Sequence, residues 1–396
     1  MKNVNFIKGL FFTLLMLYSN VVFAYTFEVG GIYYNILSAT DLTCEVTSGD
    51  KKYSGSIDIP GVVTFKSRNI NVVGVSERAF KGCQELTSVS IGKSVQRIGN
   101  GAFSGCTALK SVNIQPGEHI LSLGCNIYDD LGSGEGLFYD CPLETLYLGR
   151  NIEYDKDYSC GYSPFYGIKT LSTVVIGSGV TSINNGAFSG CNALKVLNIE
   201  DGYETLSLGC NIYDGSGSGE GLFYNCPLET LYLGRNIEYE TGYNYGYSPF
   251  YGIETLTNVS IGGSVTSLGS SVFSGCNNIS TINLNSEIVR NWFSGITSIK
   301  EVIIGKNVTS ITYNAFSGCT GFASIYLMGD KAPIVGSGNF TDAQYVNVSL
   351  YVAKGNLKSH QTADTWKNFW EIKELSSKEQ KNKEEKEEKD SKSKKA

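Results

Sequence analysis

Phenylalanine recurs along this chain at intervals that point to stacked units rather than to one globular core. It stands at Phe80, Phe103, Phe138, Phe165, Phe188, Phe223, Phe250, Phe273, Phe293 and Phe316, with spacings of 23, 35, 27, 23, 35, 27, 23, 20 and 23 residues. The run 35, 27, 23 occurs twice, and the sequence itself repeats with it. LSLGCNIYD at Leu121 returns at Leu206, PLETLYLGRNIEY at Pro142 returns at Pro227, and GYSPFYGI at Gly161 returns at Gly246. The expectation is a tandem duplication of a four-coil block. A chain built this way buries each unit only against its neighbours, so its fold is a solenoid.

A plain unit reads L-x-x-V-x-I-G, then V-x-x-I, then A-F-x-G-C. One copy uses Leu86, Val89, Ile91, Gly92, Val95, Ile98, Ala102, Phe103, Gly105 and Cys106. Alternation at V-x-I predicts a short half-buried strand, and Gly92 permits the turn that follows. Phe103 and Cys106 then fill the far side of the coil. Neighbouring strands would sit about 4.8 Å apart in a parallel sheet. The expected fold class is a mainly β solenoid of about ten to eleven coils, with a β cap before it and a short-helix module after it. Residues 25–75 are assigned to the N-terminal cap, 76–331 to the repeats, and 332–375 to the C-terminal capping module. Trp366, Phe369 and Trp370 are expected to seal the last coil, because terminal repeats need a cap.

Of eleven cysteines, seven follow a Phe by three residues: Cys83, Cys106, Cys141, Cys191, Cys226, Cys276 and Cys319. In other units the same slot holds Ile168, Ile253 or Ile296. A slot that accepts Cys or Ile is an apolar packing slot, and a free cysteine packs as a small hydrophobe. The seven are therefore read as a ladder of buried thiols. Any disulfide would be sought among Cys44, Cys125, Cys160 and Cys210. No C-x-x-C pair suggests zinc.

The two ends have their own compositions. Lys2 and Lys8 precede an apolar run at residues 10–18, and Val22-Phe23-Ala24 forms a small-x-small site. That pattern predicts a signal peptide over residues 1–24 and an exported mature chain, at the cell surface, outside the cell or in the periplasm. The apolar run is short for a membrane span, so an integral membrane protein is not expected. Residues 376–396 hold eight Lys and six Asp or Glu, and read as a disordered Lys/Glu-rich tail. The whole chain carries −6; with +2 set aside at each end, the body between carries −10. An acidic body argues against nucleic acid as a partner.

The repeat units resemble the BspA-like class of leucine-rich repeats. The stretch LTSVSIGKSVQRIGNGAFSGCTALKSVNI is similar to that family's consensus, and the likeness covers residues 55–375. The closing LYVAKGNLKSHQTADTWKNFWEI is similar to the terminal module of such proteins in Gram-negative host-associated anaerobes. FEVGGIYYNIL and GSIDIPGVVTF are similar to their entry strands. The resemblance implies a surface or secreted adhesion protein, with a host matrix or cell-surface protein as partner. It supplies no catalytic motif.

With V and I inward, the residue between them faces outward. That row reads Ser90, Asn113, Tyr147, Val175, Asn198, Tyr232, Ser260, Asn283, Ile303 and Tyr326. Tyrosine offers contact area with a polar tip at low entropic cost, which suits recognition. The 27-residue units add Tyr-rich loops carrying Tyr158 and Tyr162 in one copy and Tyr243 and Tyr247 in the other. The candidate binding residues are thus Tyr147, Tyr158, Tyr162, Tyr232, Tyr243, Tyr247 and Tyr326. The same tyrosines would serve equally to pack over their neighbours, or to stack on the rings of a glycan. A third reading is a structural envelope protein with no dedicated ligand. The acidic Gly-rich loops, such as residues 214–220, alternate oxygen-bearing side chains in a way that invites calcium. The duplicate loop has Leu131 at one of those positions, so a plain glycine loop is expected, with no metal and no cofactor. Only His119 and His360 are available for base catalysis, and neither adjoins a nucleophile motif, so no enzyme is expected.

Overall fold

The computed structural model describes residues 25–124, 136–154, 163–210, 221–240 and 248–391. Thirteen strands form one long sheet, from Ser54–Ile59 at one end to Glu371–Glu374 at the other. Every neighbouring pair in it is parallel. The register between coils is in step: Leu146 lies beside Val174, which lies beside Leu197, and Tyr147 lies beside Val175, which lies beside Asn198. Inward V and I positions therefore stack on one another, and outward positions form rows. This is the mainly β solenoid that the spacing predicts, of the kind that the resemblance implies.

After most long-sheet strands the chain crosses a second row of two- or three-residue strands; none follows Asn258–Ile261. Arg97–Ile98, Leu121–Leu123 and Ile152–Glu153 pair in a mixed sheet with the N-terminal strands. Ser182–Ile183, Leu206–Leu208 and Ile237–Glu238 form a second set, and Ile288–Val289, Ser310–Ile311 and Ile334–Val335 a third. The N-terminal segment seeds both rows. Ser54–Ile59 pairs with Glu85–Ile91 in the long sheet, and Arg68–Val75 pairs with Arg97–Ile98 in the second row.

Between the rows runs a column of rings. Phe80, Phe103, Phe138, Phe165, Phe188, Phe223, Phe250, Phe273 and Phe293 stack in sequence with centroids 5.0–6.2 Å apart. Tyr53 closes the column at its start, 4.4 Å from Phe80. Aromatic pairs in this range add about 0.5–1.5 kcal/mol each beyond area burial. The turn after each Phe requires a left-handed residue. Gly275 takes it at φ +76°, with Gly252 packed so close that an added Cβ would lie 3.1 Å from its Cα. In the 35-residue units Asp140 and Asn225 take the position, at φ +56° and +57°. These are the residues that tolerate it best after glycine.

The cysteine slot is more than an apolar filler. Phe80 O accepts the N–H of Cys83 in its own coil and the thiol of Cys106 from the next, the latter at 3.1 Å. The same thiol bond runs from Cys141 to Phe103, Cys191 to Phe165, Cys226 to Phe188, Cys276 to Phe250 and Cys319 to Phe293. A sulfur here satisfies the second lone pair of a buried carbonyl. Cys44 and Cys210 are free and buried as well; Cys125 and Cys160 lie outside the described residues. Burial pushes the thiols of Cys276 and Cys319 up to about 11 and those of Cys44 and Cys191 to about 12. Such thiols are protonated and shielded at neutral pH. Under native conditions at about pH 8 the nine described thiols should resist iodoacetamide, and all should react once guanidinium unfolds the chain. Mass mapping of labelled peptides checks this, and native labelling of Cys191 at the rate of a free thiol would contradict it.

The duplicated block contains three coils, not four. Thr145–Leu148 and its copy Thr230–Leu233 are separated in the sheet by only Thr173–Ile176 and Val196–Ile199. Three spacings mark three coils; the fourth anchor already belongs to the next block. Each block carries a buried arginine. Arg150 donates to Lys93 O at 2.7 Å and Gly92 O at 3.0 Å, two strands back, and Arg235 does the same to Ser178 O and Gly177 O. Gly117 lets Arg150 pass, since a Cβ there would meet Nη1 at 2.6 Å.

The C-terminal module extends the solenoid. Helix α1 (Asp342–Asn347) starts with a Thr341/Gln344 capping box, Ser349–Val352 and Glu371–Glu374 add two strands to the long sheet, and helix α2 (Leu357–Gln361) lies between them. Trp366 is fully buried and donates its indole N–H to Pro333 O at 2.7 Å, and Phe369 is buried beside it. Trp370, expected to help seal this end, is 77% exposed. It follows Phe369 on an extended stretch, so it faces the other way. The tail, expected to be disordered, forms helix α3 (Ser377–Ser391). A Ser376/Glu379 capping pair starts it.

Candidate functional site

The outward face of the long sheet holds the row of candidate residues. Strand register places Tyr147, Tyr232 and Tyr326 on that row, with two further members, Tyr351 and Lys373, beyond the last position expected. Their settings differ. Tyr147 is half-buried, and its hydroxyl donates to Glu200 Oε2 at 3.2 Å across the intervening strand. Burial, with the nearby Glu200 charge and this bond, pushes its phenol up to about 12, so it remains a donor at physiological pH. Tyr232 is buried and donates to Asp201 Oδ1 at 2.9 Å. Each hydroxyl lies over a glycine: a Cβ at Gly177 would meet that of Tyr147 at 2.7 Å, and one at Gly262 that of Tyr232 at the same distance. Tyr326 is half-buried and stacks on Tyr351 at 4.9 Å.

Burial of this face is greatest in its middle, from Val175 to Ile303, and the row opens again at Tyr326 and Tyr351. Ser90, Asn113 and Tyr147 are half-exposed, whereas Ser260, Asn283 and Ile303 are buried. Helix α3 lies over the stretch from Tyr232 to Tyr326. Lys383 pairs with Glu301 at 2.8 Å and sits 3.8 Å above the Tyr326 ring. A cavity of about 550 Å³ remains between helix and sheet, lined by Tyr232, Asn283, Asn285 and Lys306 from below and Lys381 and Glu384 from above.

The other four candidates, Tyr158, Tyr162, Tyr243 and Tyr247, lie outside the described residues. Their loops leave after Ile152–Glu153 and Ile237–Glu238, strands of the second row, so they do not start from the face that bears Tyr147. The Gly-rich loops leave after the adjacent strands Leu121–Leu123 and Leu206–Leu208. The two kinds of insertion thus depart from neighbouring strands of the second row. Residues 214–220 of the calcium reading also lie outside the described residues. Among the described residues no group of three or more His, Cys, Asp or Glu is placed to hold a metal ion, and no helix is long and apolar enough to cross a membrane. His360 is buried in α2 with Nδ1 bonded to Asn356 O.

Two features escaped the sequence reading. Glu200 and Asp201, which anchor the tyrosines, follow a strand and resemble ordinary turn residues. Lys383 belongs to a charge run in which nothing singles it out.

Comparison with known proteins gives six copies of the BspA type leucine rich repeat region, over residues 73–216, 159–288 and 216–347. No curated protein matches the chain. Among solved structures, a leucine-rich repeat protein from Bacteroides ovatus is 20% identical, with 89% of this chain and 100% of that one covered and a TM-score of 0.31. A leucine rich cell surface protein from Faecalibacterium prausnitzii is 20% identical over 90% and 96%, with a TM-score of 0.35. An internalin from Listeria monocytogenes is 11% identical over 85% and 82%, with a TM-score of 0.39. At these scores the likenesses bear on neither ligand nor site.

Proposed function

The chain belongs to the BspA-type leucine-rich repeat family, and from that premise we propose that it is an exported recognition protein whose outward sheet face binds a host matrix or cell-surface protein. The supporting observation is Tyr147: half-exposed in an in-register row, with its hydroxyl bonded to Glu200 and seated over Gly177. An aromatic side chain immobilised before binding loses little entropy on contact, which is what a rigid recognition surface requires. Ser90 and Asn113 continue the open part of the row toward the N-terminal end. No catalysis is assigned to it.

The test is a binding array with matrix proteins and glycans, probed with the whole mature chain, with Tyr147→Ala, and with a variant altered at Tyr158, Tyr162, Tyr243 and Tyr247. A protein ligand lost at least tenfold in Tyr147→Ala is the expected result, the size of an interface anchor. Loss only in the loop variant would move the site to those loops. A hit on glycans alone would replace the protein reading, and no hit would leave a structural envelope role.

A further inference from the structure

Helix α3 contains no apolar residue between Ser377 and Ser391, so no hydrophobic stripe holds it on the sheet. An isolated helix of this length is marginal in water. It is tied instead at a few polar points. Lys354 donates through its backbone N–H to Gln380 Oε1 and through Nζ to Ser377 Oγ, both at 3.0 Å. The deepest tie is Lys383. Its side chain is only 18% exposed, its Nζ pairs with a Glu301 carboxylate that is 25% exposed, and the same ammonium lies over Tyr326. Tyr351 backs Tyr326, and Lys373 lies 5.9 Å over Tyr351, so the two aromatic rings each receive a cation. Ile303, Met328 and Leu375 form a small apolar floor next to this point.

An ammonium held between a carboxylate and a ring face is a recognition geometry for basic side chains. Here the chain fills it with its own lysine, on the face proposed above to bind protein. We propose that Glu301 and Tyr326 form a seat for a lysine or arginine side chain of a protein partner, and that α3 occupies the seat as a displaceable strap. This rests on the reading of the sheet face as a protein-binding surface. An acidic body with a basic-residue seat selects partners presenting exposed lysines or arginines.

The experiment uses the whole mature chain and a short oligolysine peptide as probe, with affinity read by fluorescence anisotropy at low salt. Hydrogen exchange over residues 377–391 is followed in parallel. Lys383→Met should free the strap, raise exchange there at least tenfold, and tighten oligolysine binding about tenfold, because the competent face is no longer mostly occupied. Lys378→Met removes the same charge from an exposed position on the helix and should change neither. Adding Glu301→Gln or Tyr326→Ala to Lys383→Met should abolish the gain. Equal probe affinity in Lys383→Met and Lys378→Met would overturn the proposal, as would a gain that survives Glu301→Gln. A gain with no matrix protein bound in the array would keep the seat and remove the host-protein reading. A matrix hit indifferent to Lys383→Met, with no oligolysine gain, would do the reverse.

Discussion

Raising the pH above about 9 should unfold this solenoid steeply, with the buried thiols acting first and the phenols of Tyr34, Tyr53 and Tyr239, also raised by burial, joining them above about 10. A thiol ionises near 9.0 when exposed, and burial carries Cys276 and Cys319 to about 11 and Cys44 and Cys191 to about 12. Between those limits the unfolded chain gives up protons that the folded chain retains. The unfolded state then binds fewer protons, so stability falls as pH rises; below about 9 both states hold them and the thiols add no pH dependence. Each such group removes about 1.4 kcal/mol per pH unit once past its unfolded value, so four together remove about 5 kcal/mol per unit. A domain stability of about 5–15 kcal/mol is consumed within one to three units. Circular dichroism in the presence of reductant should show a cooperative loss centred between about pH 10 and 11.5. The double variant Cys191→Ala, Cys276→Ala should be less stable at neutral pH yet lose stability less steeply in alkali. A spectrum unchanged to about pH 12 would remove the thiol argument.

The second large effect concerns the arginines. Arg150 is 1% exposed and Arg235 is fully buried, and burial lowers both pKa values from their ordinary range without displacing the charge. Each satisfies two backbone carbonyls that lie two strands away. Arg150→Met leaves Gly92 O and Lys93 O without that donor and removes a planar fork that lysine cannot reproduce. Gly92 O keeps the N–H of Val95, while Lys93 O loses this donor; an uncompensated acceptor costs about 1–3 kcal/mol, so a loss of that size is expected, with Arg150→Lys recovering only part of it. Arg235→Met should cost a similar amount, and the two should add, because their partners are not shared. Denaturant unfolding followed by circular dichroism measures both. Because a solenoid's stability is a sum of neighbour terms, the curve should broaden or split rather than shift as a whole. A loss under about 1 kcal/mol, the range of surface substitutions, would show the clamp to be incidental.

Much of the architecture is legible in the repeat. The V-x-I alternation places Tyr147, Tyr232 and Tyr326 on one row because strand periodicity is local and every coil obeys it. The Phe and Cys spacings locate the buried column for the same reason. What is not legible depends on contacts between distant segments. Tyr232 is buried by its surroundings rather than by its own strand, and Trp370 is exposed because Phe369 takes the inward position. The tail's composition describes a solvated chain, and its helix is visible only once Lys383 has found Glu301 and Tyr326. The Tyr-rich loops look continuous with the Tyr row in one dimension, but they follow strands of the second row, whereas Tyr147 and Tyr232 lie on the long sheet.

The in-step register has a consequence for how such a molecule changes length. Residues 121–205 and the block that follows begin at equivalent places, and the arginine contacts repeat with them: Arg150 to Gly92 and Lys93, Arg235 to Gly177 and Ser178. Deleting one block, or inserting a third, joins surfaces that already meet each other in the native chain. The reach from the entry strands to the strapped end is therefore a quantity that can be set in three-coil steps, with both ends and every internal joint left as they are.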